Sequence, residues 1–160
     1  MNMEKEFYLP AEWQKQSFIQ LTWPHEETDW AYMLDEVEKC FLQLAREIAS
    51  RQQLVVVAPQ FPDALKDFEY KDNLIYVSCP TNDTWARDHA FITLQQKDAV
   101  PMLLDFCFNG WGMKFAANKD NLINGRLYKT GLLNGHYVNC RNFVLEGGSI
   151  ESDGKGTMLT

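Results

Sequence analysis

Apolar positions along this chain recur with two periods, and the period assigns the elements. Ser17 to Trp23 (SFIQLTW) alternates, carries β-branched and aromatic residues and stops at Pro24, which predicts a strand. From Trp30 the apolar residues Trp30, Met33, Leu34, Val37, Phe41, Leu44, Ala45 and Ile48 fall at steps of three and four, one face of an amphipathic helix. Thr28 or Asp29 is its expected N-cap. Leu54 to Ala58 is continuously apolar up to Pro59, as a strand buried on both faces would be. Leu74 to Cys79 is another strand stopped by a proline. Phe91 to Leu94 and Met102 to Phe108 predict two more, separated by the polar loop Gln95 to Ala99. Asp120 to Leu133 has a weaker helical pattern, and Tyr137 to Cys140 and Phe143 to Ile150 return to strand character. Ser152-Asp153-Gly154-Lys155-Gly156 carries an Asp-Gly hairpin signal, with Thr157 to Thr160 as its second strand. The order predicts an α+β fold built on a repeated unit of strands with one intervening helix. An apolar strand that runs to the last residue is expected of a truncated chain, because the next element would cover it.

Composition narrows the function classes. The 160 residues are 46% hydrophobic and 23% charged, enough apolar material for one domain with a real core. A net charge of -7, with no Lys/Arg cluster longer than a pair, argues against nucleic acid and anionic membrane as partners and suits a cationic small molecule. Met1 to Glu6 lacks the apolar segment of a signal peptide, and no run approaches the ~20 apolar residues of a membrane span, so a cytoplasmic location is expected. Cys40, Cys79, Cys107 and Cys140 show no CxxC spacing and read as reduced core thiols. His25, His89 and His136 form no ligand pattern, and no glycine-rich phosphate loop or dinucleotide fingerprint occurs, so neither metal nor cofactor is expected.

Two carboxylates stand out. Asp88 ends the polar loop Asn82-Asp83-Thr84-Trp85-Ala86-Arg87-Asp88-His89, which carries more functional groups than a turn requires; its plainer reading is a capped loop in which Arg87 and Asp88 make structural salt bridges. Glu146 sits in Phe143-Val144-Leu145-Glu146-Gly147-Gly148-Ser149-Ile150, read as a charge inside an apolar strand, where it needs a cation or several donors. The adjacent Gly147-Gly148 leaves room for a bulge or a close ligand. Phe108-Asn109-Gly110-Trp111-Gly112 reads as a tight turn with a packed Trp or as a pocket wall. Two carboxylates beside tryptophan could flank a glycosidic bond, or grip a planar guanidinium from both sides through its fork of N–H donors. A non-catalytic guanidine-binding module is a third reading.

Leu9-Pro10-Ala11-Glu12-Trp13, Leu21-Thr22-Trp23-Pro24-His25 with Thr28-Asp29-Trp30, Asn82 to Asp88, Phe108 to Gly112, and Leu145 to Ile150 through Asp153-Gly154-Lys155-Gly156-Thr157 together resemble the agmatine deiminase and bacterial-type peptidylarginine deiminase family, in order and from about Tyr8 to the last residue. The resemblance implies a pentein-type α/β propeller, of which residues 1–160 would be a single N-terminal portion supplying the first two to three ββαβ blades. It implies hydrolysis of a guanidino group, agmatine to N-carbamoylputrescine and ammonia in polyamine synthesis, through a cysteine thiolate, with peptidyl-arginine as the alternative substrate. It implies Asp88 and Glu146 as catalytic carboxylates, Asp88 also holding the guanidinium, and Trp85, Trp23 and Asp29 as substrate-binding residues; a homo-oligomer stays open. The family's His-x-Asp and nucleophilic cysteine are absent from these residues, and His89-Ala90-Phe91 stands where the family usually has a glycine after Arg-Asp.

Overall fold

The structure, a computed structural model, describes residues 7–160; the polar stretch Met1 to Glu6 lies outside the described residues. The described residues divide into two compact units, one of residues 16–86 and 116–123, the other of residues 7–15, 87–115 and 124–160.

In the first unit, β1 (Phe18–Thr22), α1 (Leu34–Ala49) and β2 (Gln53–Ala58) form a strand–helix–strand crossover, and β3 (Leu74–Ser78) completes a parallel sheet in the order β1-β2-β3. The central strand β2 is buried from Leu54 to Ala58, which is why its sequence shows no alternation. The helix lays Ala45, Ala49, Phe41 and Ile48 into a core with Trp23, Leu54, Val56, Leu65 and Phe68. Burying each of the large side chains stabilises by roughly 1.5–3 kcal/mol. Leu44, placed on the apolar face by periodicity, is exposed. Thr28 and Asp29 do not cap α1. A 3-10 turn, Ala31–Met33, intervenes, the N-cap is Met33 without a side-chain bond, and the Thr28 hydroxyl donates to the His25 carbonyl instead. Asp35 and Glu36 in the first turn and Arg46 in the last complement the helix dipole in the cap's place.

In the second unit, the short helix α2 (Ala86–His89) leads into β4 (Ile92–Leu94), which pairs antiparallel with β5 (Met102–Cys107). The expected helix is shorter than its pattern: a 3-10 turn, Asp120–Leu122, precedes α3 (Ile123–Lys129). β6 (His136–Val144) then returns parallel to β5, giving the order β4-β5-β6. The register jumps from Phe106↔Cys140 to Cys107↔Val144, skipping Arg141, Asn142 and Phe143, and the Asn139 side chain accepts from the Arg141 N–H at 3.0 Å to hold the bulge. This bulge is the break between the two strand segments that the pattern separates. Phe143 to Ile150 is not one strand: β6 ends at Val144, and Gly147–Ser149 is a 3-10 turn. The Asp-Gly hairpin forms as expected between β7 (Glu151–Ser152) and β8 (Met158–Leu159), with Asp153 Oδ1 accepting from the N–H groups of Lys155 and Thr157.

Among the described residues no helix is long and apolar enough to cross a membrane. All four cysteines are free thiols, and Cys40 lies exposed on α1 rather than in a core.

Candidate functional site

Both singled-out carboxylates belong to the second unit. Asp88 is half-buried on α2, and its Oδ1 accepts from the Gly148 N–H at 3.1 Å. Glu146 is half-buried where the chain leaves β6, so it is not inside a strand. The acid that does sit inside an apolar strand is Asp105, on β5. The Gly147-Gly148 pair is what lets the Glu146 segment lie against α2: a Cβ on Gly147 would overlap the Arg87 carbonyl oxygen, and one on Gly148 would overlap Asp88 Oδ1. Arg87 does not pair with Asp88. Its guanidinium reaches Glu12 Oε1 at 2.6 Å and the Ile150 carbonyl at 3.0 Å, tying the N-terminal stretch and the end of the 146–150 stretch to α2.

A buried polar network fixes α2 from behind. Asn124 Nδ2 donates to the His89 carbonyl at 2.9 Å and to Asp105 Oδ1 at 2.8 Å, and the Tyr137 hydroxyl donates to Asp105 Oδ2 at 2.6 Å. Burial and the Asp105 carboxylate push the Tyr137 phenol up to about 12, so it stays a donor at neutral pH, and burial drives His89 down to about 4, so its imidazole is neutral there.

Glu146 has a donor of an unusual kind. Gly110, Trp111, Gly112 and Met113 have φ of 64°, 56°, 80° and 65°, one turn of left-handed helix closed by Met113 N–H to Asn109 O at 2.8 Å and Lys114 N–H to Gly110 O at 3.0 Å. Two of the four are not glycine, at roughly 1–2 kcal/mol each. The Trp111 N–H donates to Glu146 Oε1 at 2.9 Å. The Trp is packed, as a tight turn would have it: its ring meets Phe108 and Phe115 edge-on at 5.3 and 5.6 Å.

The first unit holds Trp23, Trp30 and Trp85. Trp85 is exposed at 46%, its ring 6.2 Å from that of Trp30, and its Nε1 donates to Asp83 Oδ2 at 3.1 Å. Trp30 Nε1 donates in turn to Thr84 Oγ1. Burial raises the Asp83 carboxyl, against the Thr84 N–H bond that lowers it, and the charge of exposed Asp29 raises it further. Asp120 is buried on its 3-10 turn, accepts from the Asn82 N–H at 2.6 Å, and is pushed up to about 6 by burial. Trp23 is a core residue, 1% exposed with its Nε1 on Glu38, and its ring offers a ligand no surface. Asp105, Asp120 and Asn124 escaped the sequence analysis, and Asp83 entered it only as a member of the dense polar loop. Only Asp105 left a signal, an acid in the apolar run Met102 to Phe108. Among the described residues no group of three or more His, Cys, Asp or Glu side chains is placed to hold a metal ion.

Within the second unit the arrangement presents two carboxylates oriented by backbone N–H groups, a donor set suited to N–H-rich cations. The profile of the Porphyromonas-type peptidyl-arginine deiminase family matches residues 8–160. A Legionella pneumophila protein provisionally named agmatine deiminase is 31% identical over 96% of this chain and 44% of its own length. A Porphyromonas gingivalis structure, provisionally an arginine deiminase, is 49% identical with a TM-score of 0.86, covering 97% of this chain and 47% of that one. A C. jejuni agmatine deiminase solved with substrate bound is 32% identical with a TM-score of 0.86, covering 100% and 47%. The chain thus spans less than half the length of these relatives. With its motifs in order and its fold shared along nearly the whole chain, it belongs to the agmatine deiminase and Porphyromonas-type peptidyl-arginine deiminase family.

Proposed function

We propose that this chain supplies the substrate-holding half of a guanidine hydrolase that converts agmatine and water to N-carbamoylputrescine and ammonia. The observation that carries the reading is the seating of Asp88 Oδ1 on the Gly148 N–H, a contact that only glycine at 148 permits. A carboxylate fixed in this way takes two N–H groups of a guanidinium and keeps the substrate cationic, so that its central carbon stays electrophilic. Glu146, held by the Trp111 N–H, takes the remaining N–H groups or the proton they release. The family resemblance adds Trp85 and Asp29 as substrate-binding residues, and the Asp83 carboxylate holds the Trp85 indole in place. On this reading the two three-stranded sheets belong to early ββαβ blades of a pentein propeller. The attacking thiolate and its histidine come from residues outside this chain, in a protein that works in the cytoplasm.

Peptidyl-arginine is the second reading, favoured by the family whose profile matches the chain. The deciding experiment assays the longer polypeptide that contains this chain for ammonia and ureido product, with agmatine and with an arginine-containing peptide. The expected outcome is turnover of agmatine, abolished by Glu146→Gln. Turnover of the peptide alone establishes the second reading, and cleavage of aryl glycosides without any guanidine hydrolysis would overturn both.

A further inference from the structure

We infer that the left-handed turn Gly110–Met113 is a positioning device for Glu146, with Asn109, Gly110 and the Trp111 backbone as positioning residues; the inference rests on the guanidine hydrolase reading and adds a part to its machinery. A connection between a strand and a helix needs no left-handed residue, yet this one uses four in succession, Trp111 and Met113 among them. Strain of this kind persists only where the surroundings over-determine it. They do so here. Asn109 Oδ1 accepts from the Gly112 N–H at 2.8 Å, the Gly110 carbonyl accepts from the N–H groups of Lys114 and Phe115, and a Cβ on Gly110 would overlap the Phe115 carbonyl oxygen. Phe108 and Phe115 hold the Trp111 ring edge-on.

The N–H groups of Gly112, Met113, Lys114 and Phe115 are all used inside the turn, whereas that of Trp111 leaves it to meet Glu146 Oε1. A right-handed or extended path from Asn109 would turn this N–H elsewhere. A backbone donor, unlike a side chain, has no rotamers. It therefore fixes the direction of the carboxylate that is to meet a guanidinium.

The test uses the longer polypeptide with Asn109→Ala, Gly110→Ala and Asn109→Asp, the last keeping the acceptor for the Gly112 N–H. Three quantities are read: kcat, KM on agmatine, and the carbon-13 resonance position of the Glu146 carboxyl at one fixed pH, assigned by its loss in Glu146→Gln. The expected result is a fall in kcat of about 10-fold or more in both disrupted variants with a smaller change in KM, and a Glu146 carboxyl resonance displaced from its wild-type position. Asn109→Asp restores kcat to within about 3-fold of wild type and returns the resonance toward its wild-type position, which a merely structural loss of packing would not predict. An unmoved Glu146 carboxyl resonance in Asn109→Ala, or an Asp variant no better than the Ala variant, overturns the inference. A wild-type protein without guanidine hydrolysis defeats the functional reading instead, and the carboxyl resonance, which needs no turnover, still decides whether the turn holds Glu146.

Discussion

Asp88 owes its orientation to a glycine sixty positions away, and this makes two substitutions informative. Asp88→Asn keeps the shape but turns an acceptor oxygen into a donor, either toward the Gly148 N–H or toward a bound guanidinium. In the longer polypeptide the loss of transition-state stabilisation is expected on the order of 3 kcal/mol, or kcat/KM down about 100-fold, with Tm nearly unchanged. A variant that melts early yet keeps its activity per folded molecule would remove Asp88 from the site. Gly148→Ala tests the same seat from the other side. Its Cβ would overlap Asp88 Oδ1, so the carboxylate must swing away, and a fall in kcat/KM of about 10-fold or more is expected. Wild-type kinetics in Gly148→Ala would show that the contact is not needed. Arg87 is a contrasting case at the same scale: its pair with Glu12 is half-exposed and contributes little stability, so what it does is hold the segment ending at Ile150 in place.

Between elements, the loop after β3 is tied to the 3-10 turn of residues 120–122 through one carboxylate. Asp120 accepts from the Asn82 N–H, and the Asn82 side chain accepts from the Lys119 N–H at 2.7 Å, so two connections without regular structure fix each other. Burial raises the Asp120 carboxyl from 3.8 to about 6, which sets a sign. Between about pH 4 and 6 the folded protein holds a proton that the unfolded chain has released, so this group's contribution to stability falls as pH rises through that window. Asp120→Asn keeps the acceptor and removes the titration. The Tm of the variant relative to wild type is therefore expected to climb between about pH 4 and 6 and to level off above, as followed by thermal melts across that range. A pH-independent difference would mean that the carboxyl does not titrate there.

At the scale of the whole molecule, the 160-residue chain spans less than half the length of its relatives and, on the reading above, carries binding carboxylates without the nucleophile. By itself it is expected to release no ammonia from agmatine, and measurable turnover by the purified chain would contradict that division of labour. What the sequence determined is everything that depends on neighbours a few positions apart. The period of three and four residues in Val37 to Ile48 marked α1, the unbroken run Leu54 to Ala58 marked the doubly buried β2, and Asp153-Gly154 marked the hairpin. The ordered motifs from Leu9 to Thr157 marked the family. Tertiary structure decided the pairings. That Asp105 and not Glu146 is the acid within a strand, that Arg87 serves Glu12 and not Asp88, and that Trp23 is core while Trp85 is exposed all depend on contacts the one-dimensional pattern does not contain. Periodicity reports which face of an element is apolar, because that preference acts locally. It does not say which N–H will meet a given carboxylate 35 or 60 residues away, since those distances close only when strands pair, a bulge skips three residues and a turn goes left-handed.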